Sequence, residues 1–304
     1  MAPHWIGMVK ERIGRALFES RCKAVGSLPP IKLRPGPVTL LSLVSGRDVT
    51  LYLFALRSFY RYLSGAGVVV IDDGTLGDSG RATIAASAPG VEFVDISSIR
   101  TGACPTGACW ERLCEVLDRC RLSYVIQMDS DTVCLREPTE VLLAIQENRP
   151  FLLGTGNGRE IVPVTEASAC ANLMASGHVQ PAAERLLETM DGSSSMRYVR
   201  ACAAFAGFAK GAASRVEAER FSVAMTERLG RRWTAWGTEQ VTSNFLLANA
   251  QATTVLPFPK YASAEPGLPL DDCSLIHFLG TWRWNAGHYR RFAGRLLDEW
   301  RSES

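Results

Sequence analysis

The segment Ser123-Tyr-Val-Ile-Gln-Met-Asp-Ser-Asp-Thr132 ends an apolar run with two carboxylates one residue apart. The run from Tyr124 to Met128 predicts a buried strand, because short apolar stretches rich in β-branched and aromatic residues suit strands. In an open α/β sheet, ligands bind outside the carboxyl ends of the strands, so Asp129 and Asp131 are expected at that edge. Two oxygen donors there suit Mg²⁺ or Mn²⁺, which bridge substrate phosphates. The segment therefore predicts metal-assisted chemistry on a nucleotide diphosphate.

The composition is that of an ordinary globular chain. With 304 residues, 47% of them hydrophobic and 21% charged, the chain can bury a large core. A net charge of +2 with both signs interspersed does not favour nucleic-acid binding. No apolar run reaches the length of a membrane span, and the N-terminus lacks the continuous apolar segment of a signal peptide. These features predict a cytoplasmic protein.

From Val38 onward, apolar runs alternate with helical patterns. The predicted strands are 38–44, 68–71, 91–96, 124–128, 151–153, 205–209 and 275–278, and the predicted helices are 49–63, 110–120, 167–174, 181–190, 218–229, 238–248 and 286–300. This alternation predicts an α/β fold with a mostly parallel central sheet and helices on both faces. No internal repeat or break in composition follows, so residues 38–304 are expected to form one domain.

Residues 1–23 predict a basic amphipathic helix. Apolar and basic residues recur at helical spacing, namely Trp5, Ile6, Val9, Ile13, Leu17 and Phe18 with Lys10, Arg12 and Arg15. Two interpretations stay open: a helix docked on the body of the protein, or one attached to a membrane surface. Prolines 29, 30, 35 and 37 then predict a stiff linker, which sets residues 1–37 apart from the domain.

The cysteines do not follow the spacing of a known zinc site. There are nine of them, and the cluster Cys104, Cys109, Cys114 and Cys120 does not contain a C-x₂-C pair. An odd number of cysteines without a signal peptide favours free thiols in a reducing compartment. We expect part of the cluster to face the core from a helix that begins near Trp110.

The order of these segments resembles the GT-A glycosyltransferases, which bind a nucleotide-sugar on a Rossmann-like sheet and hold a divalent metal with an Asp-x-Asp pair. The resemblance lies in a strand, a helix, a strand that ends in Asp72-Asp73-Gly74, and a later strand that ends in Asp129-Ser-Asp131. The segment 68–74 is similar to the second-strand motif of the family 2 enzymes, in which an aspartate contacts the base. The resemblance implies a nucleotide-binding role for Asp72 and Asp73, with an ordinary acidic turn as the alternative.

The C-terminal part resembles the retaining family 8 enzymes more narrowly. Their pattern His-Phe-x-Gly-x-x-Lys-Pro-Trp is similar to His277-Phe-Leu-Gly280-Thr-Trp-Arg283-Trp284. The resemblance implies that His277 is the third metal ligand and that Gly280 and Arg283 contact the diphosphate. Arginine stands in place of the family's lysine, keeps the positive charge, and can bind phosphate in bidentate fashion.

Two further segments match the family in part. The family's Asp-Gln-Asp-x-x-Asn is similar to Glu239-Gln240-Val-Thr-Ser-Asn244, which implies that Glu239 and Gln240 line the sugar pocket. A solvated helix N-terminus is the alternative for Glu239. The family's Phe-Asn-Ser-Gly is partly matched by Ala204-Phe205-Ala206-Gly207-Phe208, which lacks the asparagine, and Gly207 is a candidate for close substrate approach.

The chemistry of the predicted reaction assigns roles to these residues. When the sugar is transferred, the nucleoside diphosphate leaves as an anion, so its departure requires positive charge, which Arg283 and a bound metal would supply. Arg112, which precedes the metal strand, is a second candidate, with a solvated helix face as the alternative. Glu239 or Gln240 would stabilise the developing positive charge on the sugar, or Glu239 would act as the base on the acceptor hydroxyl.

The predicted function is therefore transfer of a sugar from a UDP-sugar to a glycan or lipid-linked acceptor, dependent on Mn²⁺ or Mg²⁺. A bacterial envelope acceptor and attachment to the inner face of the membrane are hypotheses motivated by the basic helix in residues 1–23. One alternative is a haloacid dehalogenase-like phosphatase, in which Asp129 and Asp131 would be nucleophile and acid/base, with Lys260 and Asp271-Asp272 downstream. The other is a non-catalytic protein that binds nucleotide-sugars.

Overall fold

The computed structural model describes residues 4–303, apart from the side chains of residues 4–8, 10, 281 and 285. Its strands are β1 (Val38–Val44), β2 (Ala66–Asp72), β3 (Glu92–Asp95), β4 (Tyr124–Met128), β5 (Thr132–Cys134), β6 (Phe151–Leu153), β7 (Val162–Pro163), β8 (Arg197–Tyr198), β9 (Cys202–Phe208), β10 (Thr254–Val255), β11 (Tyr261–Ser263) and β12 (Leu275–His277). Its helices are α1 (His4–Cys22), α2 (Val49–Tyr60), α3 (Gly77–Ser87), α4 (Trp110–Cys120), α5 (Thr139–Gln146), α6 (Val164–Asn172), α7 (Val179–Glu184), α8 (Arg215–Leu229), α9 (Thr238–Asn249) and α10 (His288–Ser302).

Seven strands form the central sheet in the order β10-β6-β9-β4-β1-β2-β3. Within it, β9 is antiparallel to both of its neighbours, and the remaining pairs are parallel. The innermost strand β1 carries the sequence VTLLSLV, a nearly continuous apolar run that suits a strand covered on both faces. This arrangement confirms the predicted α/β fold with a mostly parallel sheet.

Apolar side chains that alternate along β1 enter two separate cores. Leu40 lies in the core on one face of the sheet together with residues of α1, α2 and α10. Leu41 lies in the core on the other face with residues of α4, α8 and α9. Helices therefore cover both faces, as predicted.

A second, three-stranded sheet in the order β11-β12-β5 adjoins the carboxyl end of β4. In it, β12 pairs antiparallel with β5, so that His277 lies opposite Thr132. The sequence did not predict β5, because Thr132-Val-Cys134 is not a continuous apolar run, in contrast to the equally short Phe151-Leu-Leu153 of β6. Helix α3 was missed as well, since its sequence GDSGRATIAAS is rich in glycine and serine and has a weak apolar face.

Helix α1 docks on the body of the protein. The Phe18 side chain is fully buried, and its ring lies 5.4 Å from that of Trp284 and 4.7 Å from that of Tyr289. Gly14 lies so close to the same tryptophan that an added Cβ would stand 2.5 Å from the Trp284 Cβ. This docking supports the first interpretation of residues 1–23, while the side chains of Trp5, Ile6 and Lys10 lie outside the described residues.

The outward face of α1 is apolar. Val9, Ile13 and Leu17 lie four residues apart and have 45%, 55% and 47% of their surface exposed. Exposed arginines, Arg12 and Arg21, belong to the same helix. In the described part of the chain, no helix combines the length and the apolar composition needed to cross a bilayer.

Candidate active site

The three predicted metal ligands converge at the junction of the two sheets. Asp129 and Asp131 follow β4, and His277 ends β12. The junction is held by the backbone, because the Phe278 N–H donates to the Asp131 carbonyl oxygen at 2.8 Å. One ligand atom from each of Asp129, Asp131 and His277 lies within 4.8 Å of the others.

The donor set of this triad fits a divalent cation. Two carboxylates and one imidazole suit Mn²⁺, and carboxylates suit Mg²⁺. The Asp131 and His277 side chains are about 95% buried, whereas the Asp129 side chain is 31% exposed. The triad therefore has a protein side and an open side, as a site that shares its metal with a substrate requires.

The ring of His277 is oriented by two partners on the side away from Asp131. Its Nδ1 lies 3.1 Å from Ser263 Oγ and 3.5 Å from Cys202 Sγ. Its Nε2 lies 3.4 Å from Asp131 Oδ1. When Nδ1–H donates to Ser263, the lone pair of Nε2 faces the carboxylates, which is the tautomer that a metal ligand needs.

An arginine contacts each of the two aspartates. Arg283 Nη2 donates to Asp131 Oδ2 at 2.5 Å, and its Nη1 lies 4.0 Å from Asp48 Oδ1. Arg112 donates to Asp129 through Nη1 and to Glu239 Oε1 through Nη2, the latter at 3.2 Å. Arg112 is buried rather than solvated, which is contrary to its alternative interpretation.

The charges at the site depend on one another. Burial alone would raise the pKa of Asp131, but the adjacent His277 and Arg283 outweigh it and hold the pKa at about 2. Burial raises the pKa of Glu239, and the Asp129 charge adds to the rise, while Arg112 opposes it. Burial would lower the pKa of Arg112, but Asp129 and Glu239 keep it above its ordinary value. Arg112 is therefore a permanent cation between two carboxylates.

Glu239 and Gln240 begin α9, at the same edge of the sheet. Glu239 is buried, so the alternative of a solvated helix end is wrong. Gln240 Oε1 accepts from the Ala203 N–H at 3.0 Å, and its Nε2 donates to Gln180 Oε1 at 3.1 Å. The amide of Gln240 thus ties α9 to the start of β9 and to α7.

Asp72 and Asp73 follow β2 and form a turn. Asp72 is buried, and its Oδ1 accepts from the N–H groups of Gly74 at 2.8 Å and Leu76 at 3.2 Å. Its Oδ2 accepts from Arg81 Nε at 2.7 Å. Asp73 is partly exposed and accepts from Thr75. These contacts occupy the Asp72 carboxylate, as in the acidic-turn alternative, and leave Asp73 the more accessible of the two.

Two glycines of the predicted site differ in their surroundings. A Cβ added to Gly280 would meet no atom within 4 Å, so this glycine borders open space beside Arg283. A Cβ added to Gly207 would lie 2.3 Å from Phe151 Cε1 and 2.5 Å from the Tyr124 hydroxyl. Gly207 therefore makes room for core side chains, and the suggestion that it serves close substrate approach is wrong.

Sequence reasoning missed two residues of this site. Asp48 follows β1 and joins the charge network through Arg15 at 3.1 Å and Ser45 at 2.7 Å. Its place after the strand adjacent to β4 is the same signal that identified Asp129, and it could have been found in that way. Ser263 carries no such signal, because its contact with His277 arises only from the pairing of β11 with β12.

The downstream residues of the phosphatase alternative do not join this site. Lys260 Nζ lies 2.8 Å from Glu140, and Asp271 pairs with Arg291 at 2.7 Å. Neither contacts Asp129 or Asp131 among the described residues. Lys260 therefore does not supply the lysine that this alternative requires beside Asp129.

The comparisons with known proteins concern the fold. No protein-family model matches the sequence, and no curated protein matches it significantly. The structure is similar to the apo structure of WbbM, a bifunctional glycosyltransferase, with a TM-score of 0.50 and 17% identity over 82% of this chain and 46% of WbbM. It is also similar to the galactosyltransferase LgtC in complex with donor and acceptor sugar analogues, with a TM-score of 0.49 and 13% identity over 88% of this chain and all of LgtC.

A third similar structure is glucosyl-3-phosphoglycerate synthase from Mycobacterium tuberculosis in complex with Mn²⁺, UDP and glucosyl-3-phosphoglycerate. Its TM-score is 0.37, with 15% identity over 81% of this chain and 82% of the synthase. The chain spans less than half the length of WbbM. The likeness to WbbM concerns the fold, and it confirms the expected GT-A architecture.

Replacing Ser263 with alanine is expected to weaken Mn²⁺ binding about 10- to 100-fold, the usual effect of removing a partner that orients a metal-bound imidazole. Electron paramagnetic resonance of free Mn²⁺ during a titration measures the affinity. Ser87→Ala is the matched control, since Ser87 Oγ is also buried and has no hydrogen-bond partner among the described residues. Equal affinities of S263A and wild type would show that Ser263 does not orient a metal ligand.

Proposed function

We propose that this chain is a divalent-metal-dependent glycosyltransferase that moves a sugar from a nucleotide-diphosphate donor, UDP-sugar in the first instance, to a hydroxyl of a glycan or lipid-linked acceptor. The observation that carries the proposal is the convergence of Asp129, Asp131 and His277 at the ligand-binding edge of a GT-A sheet. Arg112 and Arg283 bring two permanent positive charges to the same place.

In this proposal, the cations of the site stabilise the negative charge of the leaving diphosphate. A bound divalent ion supplies Lewis-acid stabilisation of the departing phosphate oxygens. Arg283 lies next to the open space at Gly280 and would donate from Nη1 to a phosphate oxygen, because its Nη2 and Nε already donate to Asp131 and to the Phe278 carbonyl oxygen. The match of 277–284 to the family 8 pattern supports this assignment and a family 8 type of enzyme.

In this proposal, Glu239 acts on the donor sugar or on the acceptor hydroxyl. A buried carboxylate held by Arg112 offers a negative charge in a site of low polarity, where it stabilises an oxocarbenium-like transition state. The same carboxylate could instead accept the proton of the acceptor hydroxyl, which would invert the anomeric centre. Gln240 is a positioning residue in both cases, because its amide fixes the first turn of α9.

The outward face of α1 supports a peripheral membrane contact. Apolar Val9, Ile13 and Leu17 with the exposed Arg12 have the composition of a helix that lies in an anionic lipid interface, whereas Arg21 is paired with Asp298 at 2.5 Å. Such a contact would bring the site to a lipid-linked acceptor.

Titration of UDP into the protein by calorimetry is expected to show binding that requires Mn²⁺. Asp131→Asn keeps the shape of the side chain but removes its charge. The affinity of this variant for UDP in the presence of Mn²⁺ should fall more than ~100-fold, which is the effect of losing a residue that only supports a metal ligand. Asp191→Asn, at an exposed turn, is the control and should bind as wild type. Absence of Mn²⁺-dependent binding to UDP and to other nucleoside diphosphates would contradict the proposal, and hydrolysis of p-nitrophenyl phosphate would favour the phosphatase.

Glu239→Gln is expected to lower the rate of sugar transfer, or of donor hydrolysis without acceptor, by about 10²- to 10⁴-fold, because the amide cannot carry the charge or accept the proton. Binding of UDP with Mn²⁺ should persist, which separates a chemical role from a binding role. Glu227→Gln, an exposed residue of α8, is the matched control. A wild-type rate in E239Q would remove Glu239 from the mechanism.

Replacing Val9, Ile13 and Leu17 together with serine is expected to reduce sedimentation with phosphatidylglycerol vesicles about tenfold or more, since burial of an aliphatic side chain is worth about 1.5–3 kcal/mol. Arg15 and Phe18 are retained, so the helix stays docked. The control carries serine at the exposed apolar positions Leu143, Val216 and Val223. Equal sedimentation of the two variants would end the membrane hypothesis.

A further inference from the structure

A cavity of about 330 Å³ lies between the segment that follows β6 and the segment that precedes β9. Its volume is at the lower end of the range of ~300–1,000 Å³ that is typical of small-molecule sites. Its lining comes from residues that resembled no family pattern: Gly156, Asn157, Gly158, Arg159, Glu160, Val162, Glu166, Ala167, Cys170, Ala171, Met174, Glu184, Tyr198, Val199 and Arg200. The triad does not line it.

The topology nevertheless places this cavity at the edge of the sheet where the triad lies. Strands β6 and β4 are each antiparallel to β9, so they are parallel to each other and their carboxyl ends share one edge. The loop 154–160 leaves β6 at this edge, and β9 begins there with Cys202. Because Cys202 Sγ lies 3.5 Å from His277 Nδ1, the cavity residue Arg200 is only two residues from a contact of the triad.

Hydrogen bonds between side chains also connect the cavity to helix α9. Glu184, which is 98% buried in the cavity wall, accepts from Tyr198 and Gln180, each at 3.0 Å, and from Arg200 Nη1 at 2.6 Å. Gln180 in turn accepts from Gln240, the neighbour of Glu239. The wall of the cavity and the first turn of α9 therefore belong to one hydrogen-bond network, in which the position of one end depends on the other.

The wall is held in place by close contacts between the loop 154–160 and Arg200. A Cβ on Gly158 would lie 2.2 Å from the Arg200 carbonyl oxygen, so only glycine lets the loop approach this closely. Thr155 Oγ1 donates to the same oxygen at 2.7 Å. Among the described residues, Arg200 Nη2 has no protein acceptor and is available as a donor to a ligand.

The chemistry of the lining favours an uncharged, hydroxyl-rich ligand. Charged groups of both signs, Arg159, Glu160 and Glu166, are exposed at the cavity, so the lining does not have the single-sign charge of an ion site. Val162 and Met174 supply apolar surface beside them. Polar groups that converge on an apolar patch match a pyranose ring, which has hydroxyls at its rim and C–H groups on its faces.

We propose that this cavity is the acceptor subsite and binds a neutral sugar unit of the acceptor, with Arg200 and the loop 156–160 as its polar contacts. This inference rests on the proposed function, because an acceptor must reach the donor sugar near Glu239. The cavity lies at the edge that β4 and β6 share, and hydrogen bonds through Gln180 connect its wall to the first turn of α9, where Glu239 lies.

Cys170 provides a direct probe of occupancy. It is exposed and lines the cavity, whereas the other eight cysteines are buried or half-buried. Cys170 is alkylated with iodoacetamide in the presence of UDP and Mn²⁺, and the rate of alkylation is measured by peptide mass spectrometry. The rate should fall about fivefold when maltose, cellobiose or lactose is added at several times its Kd. A Kd of ~10 mM is expected, a weak affinity that suits one or two sugar rings. Alkylation of Cys109 is the internal control and should not change.

A bulky substitution tests the same site through turnover. Cys170→Trp is expected to raise the KM for the protecting disaccharide about tenfold and to leave Mn²⁺-dependent UDP binding unchanged. Leu173→Trp, three residues further on, 88% exposed and outside the cavity, should change neither.

Unchanged Cys170 alkylation with all three disaccharides would overturn the proposal, and so would an unchanged KM in C170W. These results differ from failure of the proposed function, which would appear as absence of UDP binding in the wild-type protein. If disaccharides protected Cys170 in a protein that does not bind UDP, the cavity would be a sugar-binding site but not an acceptor subsite.

Discussion

The pairing of β12 with β5 is the constraint on which the site depends. It places His277 opposite Thr132, directly after the two aspartates, and joins the C-terminal part of the chain to the end of β4. Because each strand has only three residues, the pairing is stabilised by its surroundings: β11 on one side and the buried Ser58, whose Oγ accepts from the Cys134 N–H at 3.0 Å. A carboxylate pair at a strand end becomes a three-ligand set only through this small sheet.

The charges of the site are balanced in pairs. A buried cation such as Arg112 is tolerated only because Asp129 and Glu239 compensate for its lost hydration, and removal of one partner would leave a charge in a medium of low polarity. The same holds for Asp131 between His277 and Arg283. A ligand that approaches through the exposed side of Asp129 thus meets carboxylates whose positions are already fixed, which lowers the ordering entropy that binding must overcome.

The sequence predicted the parts of this molecule that depend on local pattern. Strands β1, β4 and β6 and helix α4 have the predicted bounds, because each is a short apolar run or an amphipathic segment with clear ends. The edge position of Asp129 and Asp131 follows from β4 alone, and His277 was identified by its resemblance to a motif. Contacts between distant segments have no local pattern, so the sequence did not predict the contact of Ser263 with His277 or that of Arg81 with Asp72. For the segment 155–200 it predicted helices but no role in a site. The role of Gly207 was misjudged for the same reason, since Phe151 is the neighbour that requires it.

The contact between Gly14 and Trp284 has an evolutionary consequence. A methyl group at position 14 would clash with Trp284, the residue that follows Arg283. A substitution on helix α1 can therefore displace a residue next to the site. Selection that retains Trp284 beside Arg283 therefore extends to position 14 on the outer helix. Among related sequences, positions 14 and 284 should vary together in volume, with a small residue retained wherever the tryptophan is retained.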